Sequence, residues 1–229
     1  MTHVDYEKMK IIAARKALEY VKDGYVLGIG SGSTVKYFIE FLGDALKKGL
    51  LKDIIGIPSS IDSRILMSKY GIPITDLYEN PEIDLTVDGA DSILSDKGVI
   101  IKGLGGAFTR EKIINYAAKK RIIIVDERKL NREVPVPIEV LPFSLGYVIK
   151  TLDKMGGKPI LRESSGKVGP CISDNGNIIL DAYFEIDQIT PTLEIELNKI
   201  PGVLENGVFV MRCEVIVGLS SNEIKILRI

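Results

Sequence analysis

Four short runs rich in Ile, Val and Leu punctuate the first half of this chain: Tyr25 to Ile29, Ile54 to Ile57, Ile83 to Val87 and Arg121 to Val125. Stretches with helical apolar spacing separate them. Where such an apolar run lacks polar alternation, as in all but Ile83 to Val87 with its Asp84 and Thr86, it is a strand covered on both faces, and such strands belong to parallel sheets whose crossovers are helices. The intervening helices are legible too. Met9, Ile12, Ala13 and Leu18 mark one over Val4 to Val21, ended by Asp23-Gly24. Val35, Phe38, Ile39 and Leu42 mark a second, through Lys48. Pro58-Ser59-Ser60 opens a third with a serine cap, which Gly71-Ile72-Pro73 breaks after Tyr70. Ala107 to Lys120 places Ile113, Ile114 and Ala117 on one face of a fourth. The pattern predicts an α/β fold: a Rossmann-like, open, mostly parallel sheet with helices on both faces.

The style changes after Leu130. Pro135, Pro137 and Pro142 punctuate an extended segment, and a helix follows from Phe143 to Met155. Strand-like runs at Pro159 to Arg162 and Ile178 to Ala182 flank Asp174-Asn175-Gly176-Asn177, a hairpin signal. Glu185 to Lys199 reads as a helix interrupted by Pro191. This order predicts a smaller α+β, ferredoxin-like domain over residues 131–206. Residues 1–130 and 207–229 then form the α/β domain, with Gly207 to Val217 and Ile224 to Ile229 rejoining the first sheet or lying at the junction.

Charge and rare residues narrow the chemistry. Thirty basic residues against 31 acidic give a net charge of −1 and no basic cluster, which argues against nucleic acid as a partner. No apolar run approaches the roughly 18 residues of a membrane helix. The N-terminus has no signal-peptide core, so a cytoplasmic location is expected. Cys171 and Cys213 stand far apart in apolar surroundings and read as reduced, buried thiols. His3 is the single histidine, so zinc-ligand spacing is missing and nucleophile–histidine chemistry requires His3 to fold back into a site. Acid–base work falls to carboxylates, lysines or tyrosines.

The stretch Asp88 to Glu111 concentrates such groups. Asp88-Gly89-Ala90-Asp91 ends one apolar run, Lys102-Gly103-Leu104-Gly105-Gly106 ends another, and Glu111 lies in the first turns of the next helix. Asp88 and Asp91 at a strand end can bind a divalent metal, bind sugar hydroxyls or share acid–base duties, or they are a cap and a solvated carboxylate. The glycine-rich run after Lys102 can present consecutive N–H groups to an anion. Glu111, on spacing alone, is equally a favourable partner of the helix dipole. Upstream, Gly30-Ser31-Gly32-Ser33-Thr34 joins a strand to a helix, where N–H groups and hydroxyls suit a phosphate. Val35 stands where a dinucleotide fingerprint has its third glycine, and no Gly-Lys-Ser/Thr follows, which leaves a small phosphorylated ligand or a structural turn. Lys129, in the charged segment after Val125, is a further phosphate candidate, and Lys10 a weaker one.

Taken together, GIGSGSTV (28–35), PSS (58–60), VDGADSI (87–93), IKGLGGAFTREKII (101–114), VDERKL (125–130), VPIEVLPF (136–143), GGKPILR (156–162), DNGNIILD (174–181) and IPGVLENGVF (200–209) resemble type A ribose-5-phosphate isomerases, in the family's order and over nearly the whole chain. The resemblance implies an aldose–ketose isomerase for ribose 5-phosphate and ribulose 5-phosphate, with no cofactor and no metal, that forms homodimers or homotetramers. It implies Glu111 as the base and substrate contacts at Ser31, Gly32, Ser33 and Thr34, at Asp88, Gly89, Ala90 and Asp91, at Lys102, Gly103, Leu104 and Gly105, and at Lys129. Ser31 stands where the family usually has Thr, and Leu104 where it has Gly. Rival readings are an aminosugar-phosphate deaminase, which needs a site histidine, a coenzyme A transferase, which needs a longer groove, and a sugar-phosphate sensor, which needs an interaction module.

Overall fold

The computed structural model describes residues 5–166 and 168–229, so His3 and the expected helix start at Val4 lie outside the described residues. The chain divides into two compact units. One holds the chain up to Ala90 with Arg110–Lys129 and Arg212–Ile229; the other holds Asp91–Thr109 and Leu130–Met211.

The first unit alternates α1 (Tyr6–Leu18), β1 (Val26–Ile29), α2 (Ser33–Lys47), β2 (Ile55–Pro58), α3 (Ile61–Lys69) and β3 (Ile83–Asp88). Ser60 caps α3 through a reciprocal box with Ser63, as the serine pair after Pro58 foretold. A strand of Ala118–Asp126, two near the C-terminus at Glu214–Gly218 and Ile224–Arg228, and the three above form, among the described residues, a six-stranded sheet. Its pairs are parallel except at the C-terminal edge, where the last two strands run antiparallel. Leu27, Ile29, Leu85, Val87, Ile122 and Ile124 share one core with Ala13, Ala17, Val35, Phe38 and Leu42 of α1 and α2. On the opposite face, Thr86 bonds Asn115, and Ile114 packs with Ile57 and Ile83. Helices therefore cover both faces, as the apolar runs of the other strands require. From β1 the chain moves to one neighbour, β2, and then to the other, β3. This reversal of strand order is where open α/β sheets leave a crevice at the carboxyl ends of their strands.

The second unit adds β4 (Ser92–Leu94) and β5 (Val99–Ile101), after which α4 (Phe108–Ala117) leads into β6 (Ala118–Asp126). The fourth helix thus stops short of Lys120, because Ala118 and Lys120 pair with Ile83 and Leu85 and extend the strand. Next come β7 (Val136–Val140), α5 (Leu145–Lys154), β8 (Lys158–Leu161), β9 (Ile178–Tyr183), α6 (Pro191–Asn198), β10 (Val203–Asn206) and β11 (Val208–Phe209). The C-terminal pair is then β12 (Glu214–Gly218) and β13 (Ile224–Arg228).

Order β10-β7-β9-β8 with every neighbour antiparallel is a ferredoxin-like sheet, whose fourth strand, β10, the sequence pattern did not signal. Pro191 begins α6 instead of interrupting a longer helix, since its missing N–H is harmless there. The Asp174–Asn177 turn joins Ile172 to Ile178 as an isolated bridge, so β8 and β9 pair across a longer connection. Val99–Ile101 does not enter the parallel sheet. It pairs antiparallel with β4 and β11, and Leu94, Val99, Ile101 and Val208 bury with Val136, Ile138 and Val140 of β7. Residues 91–109 and 207–211 therefore pack with the second unit, a wider unit than the 131–206 drawn from sequence.

Candidate active site

In the first unit two loops leave the point where strand order reverses. The first, Gly30 to Gly32, turns from β1 into α2. Gly30 is there because an ideal Cβ would lie 1.9 Å from Asp88 Oδ1, and Gly32 adopts φ +104, a region side chains disfavour. α2 has no side-chain cap and no acid in its first turn. An uncapped helix N-terminus, with its N–H groups and positive dipole end, is the arrangement that receives phosphate. Ser33 is exposed and Thr34 buried in that first turn. Ser31 Oγ lies 2.9 Å from Ser59 Oγ and donates to Ser60 Oγ at 2.8 Å, so its hydroxyl braces this loop against the start of α3.

The second loop begins at Asp88, whose side chain is wholly buried. Asp88 Oδ1 accepts from the N–H of Gly89 at 2.7 Å, and Oδ2 accepts from Asn115 Nδ2 at 2.9 Å. The same Asn115 amide nitrogen donates to the carbonyl of Glu111 at 2.9 Å, while its oxygen accepts from Thr86 Oγ1 at 2.9 Å. Asn115 is fully buried and Glu111 is 4% exposed. One amide thus ties the buried carboxylate of β3 to the helical turn carrying Glu111. The sequence marks Asn115 only as the i+4 neighbour of Glu111; an amide one turn from a candidate base is the signal that could have singled it out.

Lys129 closes a short 3-10 turn after β6. Its neighbour Arg128 lies against Asp126, Nε to Oδ1 at 2.7 Å and Nη2 to Oδ2 at 3.0 Å, and its guanidinium sits 3.7 Å from the Tyr6 ring centroid. Burial acts to raise the Asp126 carboxyl, but the bonds from Arg128 outweigh it and hold the group below the usual range. Lys10 is engaged by Glu7 at 2.7 Å.

In the second unit Lys102 is 3% exposed, its N–H bonded to the Gly207 carbonyl at 2.9 Å and its ammonium 5.7 Å from the Phe209 ring centroid. Asp91 Oδ2 accepts from the N–H of Leu104 at 3.0 Å and so pins the glycine-rich turn. Positive φ falls on Gly103 and Gly106, not on Leu104, so the side chain at 104 costs the turn no strain. Gly105 is exposed. The sequence-predicted residues therefore group by unit: Ser31 to Thr34, Asp88 to Ala90, Glu111 and Lys129 in the first, Asp91 and Lys102 to Gly105 in the second.

A helix N-terminus and buried carboxylates at the point where strand order reverses define the class, a Rossmann-like α/β enzyme. Comparison with known proteins narrows it. The family model for ribose 5-phosphate isomerase A (phosphoriboisomerase A) matches residues 55–222. The ribose-5-phosphate isomerase A of Methanococcus maripaludis is 45% identical over 98% of this chain and 94% of its own length. That of Pyrococcus horikoshii is 44% identical over 93% and 95%. Among solved structures, ribose 5-phosphate isomerase A from Methanocaldococcus jannaschii superposes with a TM-score of 0.92 at 40% identity, covering 97% of this chain and 99% of that one. A D-ribose-5-phosphate isomerase in complex with phospho-erythronic acid gives 0.94 at 45% identity, over 98% and 100%. The chain belongs to the ribose 5-phosphate isomerase A family.

Proposed function

We propose that this chain interconverts ribose 5-phosphate and ribulose 5-phosphate through an enediolate, with Glu111 as the base. Family membership supports the reaction. The observation that carries the residue roles is the Asn115 amide, which bonds both the Asp88 carboxylate and the backbone of the Glu111 turn inside a buried site.

The reaction moves one proton from C2 to C1 and one from O2 to O1, with no net redox change. Glu111 takes the C2 proton of the open-chain aldose, and the electrons move onto the carbonyl oxygen to form the enediolate. The Lys102 ammonium and the N–H groups of Gly103 and Gly105 hold the negative oxygens. Asp88 assists ring opening and passes the hydroxyl proton between O2 and O1, while Asp91 keeps the glycine-rich turn in place. Glu111 then returns its proton to C1, giving the ketose. Ser33, Thr34 and the N-terminal N–H groups of α2, with Lys129, anchor the phosphate, so that C1 and C2 stay in register with the base. Gly32, Gly89 and Ala90 contribute backbone, and Ser31 holds its loop through Ser59 and Ser60.

Self-association through the second unit and a cytoplasmic setting complete the reading. Phe143 is 96% exposed, with Leu141 and Tyr147 exposed nearby, which supports subunit contacts that light scattering would detect. The test of the reaction is ketose formation from ribose 5-phosphate by EDTA-treated protein, with Glu111→Gln alongside. Wild type should turn over and the variant should lose roughly 10²–10⁴-fold in kcat with little change in KM. Near-normal turnover by Glu111→Gln would end the assignment, and activity that returned only with added metal would recast Asp88 and Asp91 as ligands.

A further inference from the structure

One guanidinium grips the glycine-rich turn of the second unit and has no part in the steps above. Arg162, just after β8, donates through Nη1 to the carbonyl of Gly103 at 2.9 Å and to that of Leu104 at 3.2 Å. Its Nε donates to Asp181 Oδ2 at 2.8 Å and its Nη2 to Asp181 Oδ1, the two-pronged pairing that fixes a guanidinium plane. The two side chains are 12% and 17% exposed, so the brace is shielded from water.

The consequence follows from peptide geometry. The described residues contain no cis peptide, and a trans unit points its C=O and N–H in opposite directions. The Gly103–Leu104 plane is therefore gripped at both ends, by Arg162 at the carbonyl and by Asp91 at the N–H, 3.0 Å away. The Leu104–Gly105 plane is gripped at its carbonyl, which aims the N–H of Gly105 away from Arg162. Gly105 is exposed, and a Cβ added there would meet nothing within 4 Å, so the turn leaves room beside it for a ligand. Gly103 at φ +109 and Gly106 at φ +80 flank the turn, and glycines rotate readily. Without Arg162 the Gly103–Leu104 plane keeps Asp91 and the bond from the Gly106 N–H to the Gly103 carbonyl at 3.0 Å, but the Leu104–Gly105 plane loses its grip and can turn its carbonyl toward the place where negative charge develops.

We infer that Arg162, braced by Asp181, is a positioning residue for the isomerisation: by holding two successive carbonyls it aims the Gly105 N–H at an enediolate oxygen. This rests on the reaction proposed above. Arg162 touches no reacting atom, so its effect belongs to the enediolate and its mimics, not to the bound sugar.

The test measures kcat, KM and the affinity for phospho-erythronic acid, whose carboxylate presents two oxygens as the enediolate does, in wild type, Arg162→Gln, Arg162→Lys and Asp181→Asn. Arg162→Gln should lower kcat by about 10²-fold, as loss of an oriented oxyanion donor does, with KM within about threefold. Affinity for phospho-erythronic acid should fall roughly in step with kcat. Arg162→Lys should recover part of both, since one ammonium cannot hold the fork, and Asp181→Asn should lose about tenfold. Unchanged kcat in folded Arg162→Gln, or a fall in kcat with unchanged affinity for phospho-erythronic acid, overturns the inference. Should Arg162→Gln not fold, Asp181→Asn decides by the same criterion. A wild type that does not isomerise sinks the reaction itself; an active wild type with indifferent variants sinks only the role of Arg162.

Discussion

Asn115→Asp is the sharpest probe of the buried carboxylate system, because it replaces one NH2 by an oxygen of nearly the same shape. In the wild type that nitrogen donates to Asp88 Oδ2 and to the Glu111 carbonyl, both at 2.9 Å, in a site closed to water. The substitution sets a second carboxylate against the first and removes both donated bonds. Two unit charges about 4 Å apart repel by about 4 kcal/mol at an effective dielectric of roughly 20. The folded variant relieves this by keeping one proton between the two groups, whereas the unfolded chain releases both above about pH 4. The folded state then binds more protons than the unfolded state, so stability falls as pH rises. Relative to wild type, the variant should lose only the bond to the Glu111 carbonyl, about 1 kcal/mol, near pH 4–5, and up to about 4 kcal/mol more by pH 8. For a chain of this size that is roughly 8–16 °C of melting temperature. Thermal melts of both proteins at pH 5 and pH 8, with kcat at pH 8, measure it, and kcat should fall because Asp88 then carries or shares a proton. An equal melting deficit at both pH values, or wild-type turnover at pH 8, would refute the reasoning.

Burial pushes the Cys213 thiol up to about 12, so it should resist iodoacetamide at pH 7.5 in the folded protein while the partly exposed Cys171 reacts; peptide mass spectrometry separates the two. Asp126 lies below the usual carboxylate range, so its contribution is present above its unfolded value of roughly 3.9 and is lost as pH falls through the folded one. Asp126→Asn should therefore destabilise at pH 7 and the deficit should shrink as the pH falls below about 4, so a deficit that grew in acid would contradict the Arg128 pairing. Ser92 Oγ is buried and finds no hydrogen-bond partner among the described residues, so Ser92→Ala should raise stability by about 1 kcal/mol in urea denaturation; a loss would mean that the hydroxyl is satisfied in solution.

Much of this architecture is readable from local pattern. The short Ile-, Val- and Leu-rich runs became β1, β2, β3 and β6, and the serine pair after Pro58 became a capping box. Patterning failed where the partner strand, not the residue itself, decides the conformation. Ala118 to Lys120 continue a good helical face yet pair with β3, and Ser92 to Leu94 are too short to announce a strand until β5 lies beside them. The same holds at the site. Glycines, acids and lysines next to strand ends are visible as clusters, but Asn115 and Arg162 matter only through where their side chains reach.

The sequence by itself determined the layered α/β class and the ferredoxin-like insert, because hydrophobic period and turn chemistry are local and act wherever the chain goes. It also determined the family and the limits on chemistry set by a single histidine and two separated cysteines. Tertiary structure alone decided that residues 91–109 pack with the second unit, that Asn115 joins Asp88 to the Glu111 turn, and that Arg162 grips Gly103 and Leu104 from 59 and 58 positions away. Those outcomes depend on which buried polar groups find partners once distant strands have paired, and a polar group leaves no periodic trace of the partner that will satisfy it.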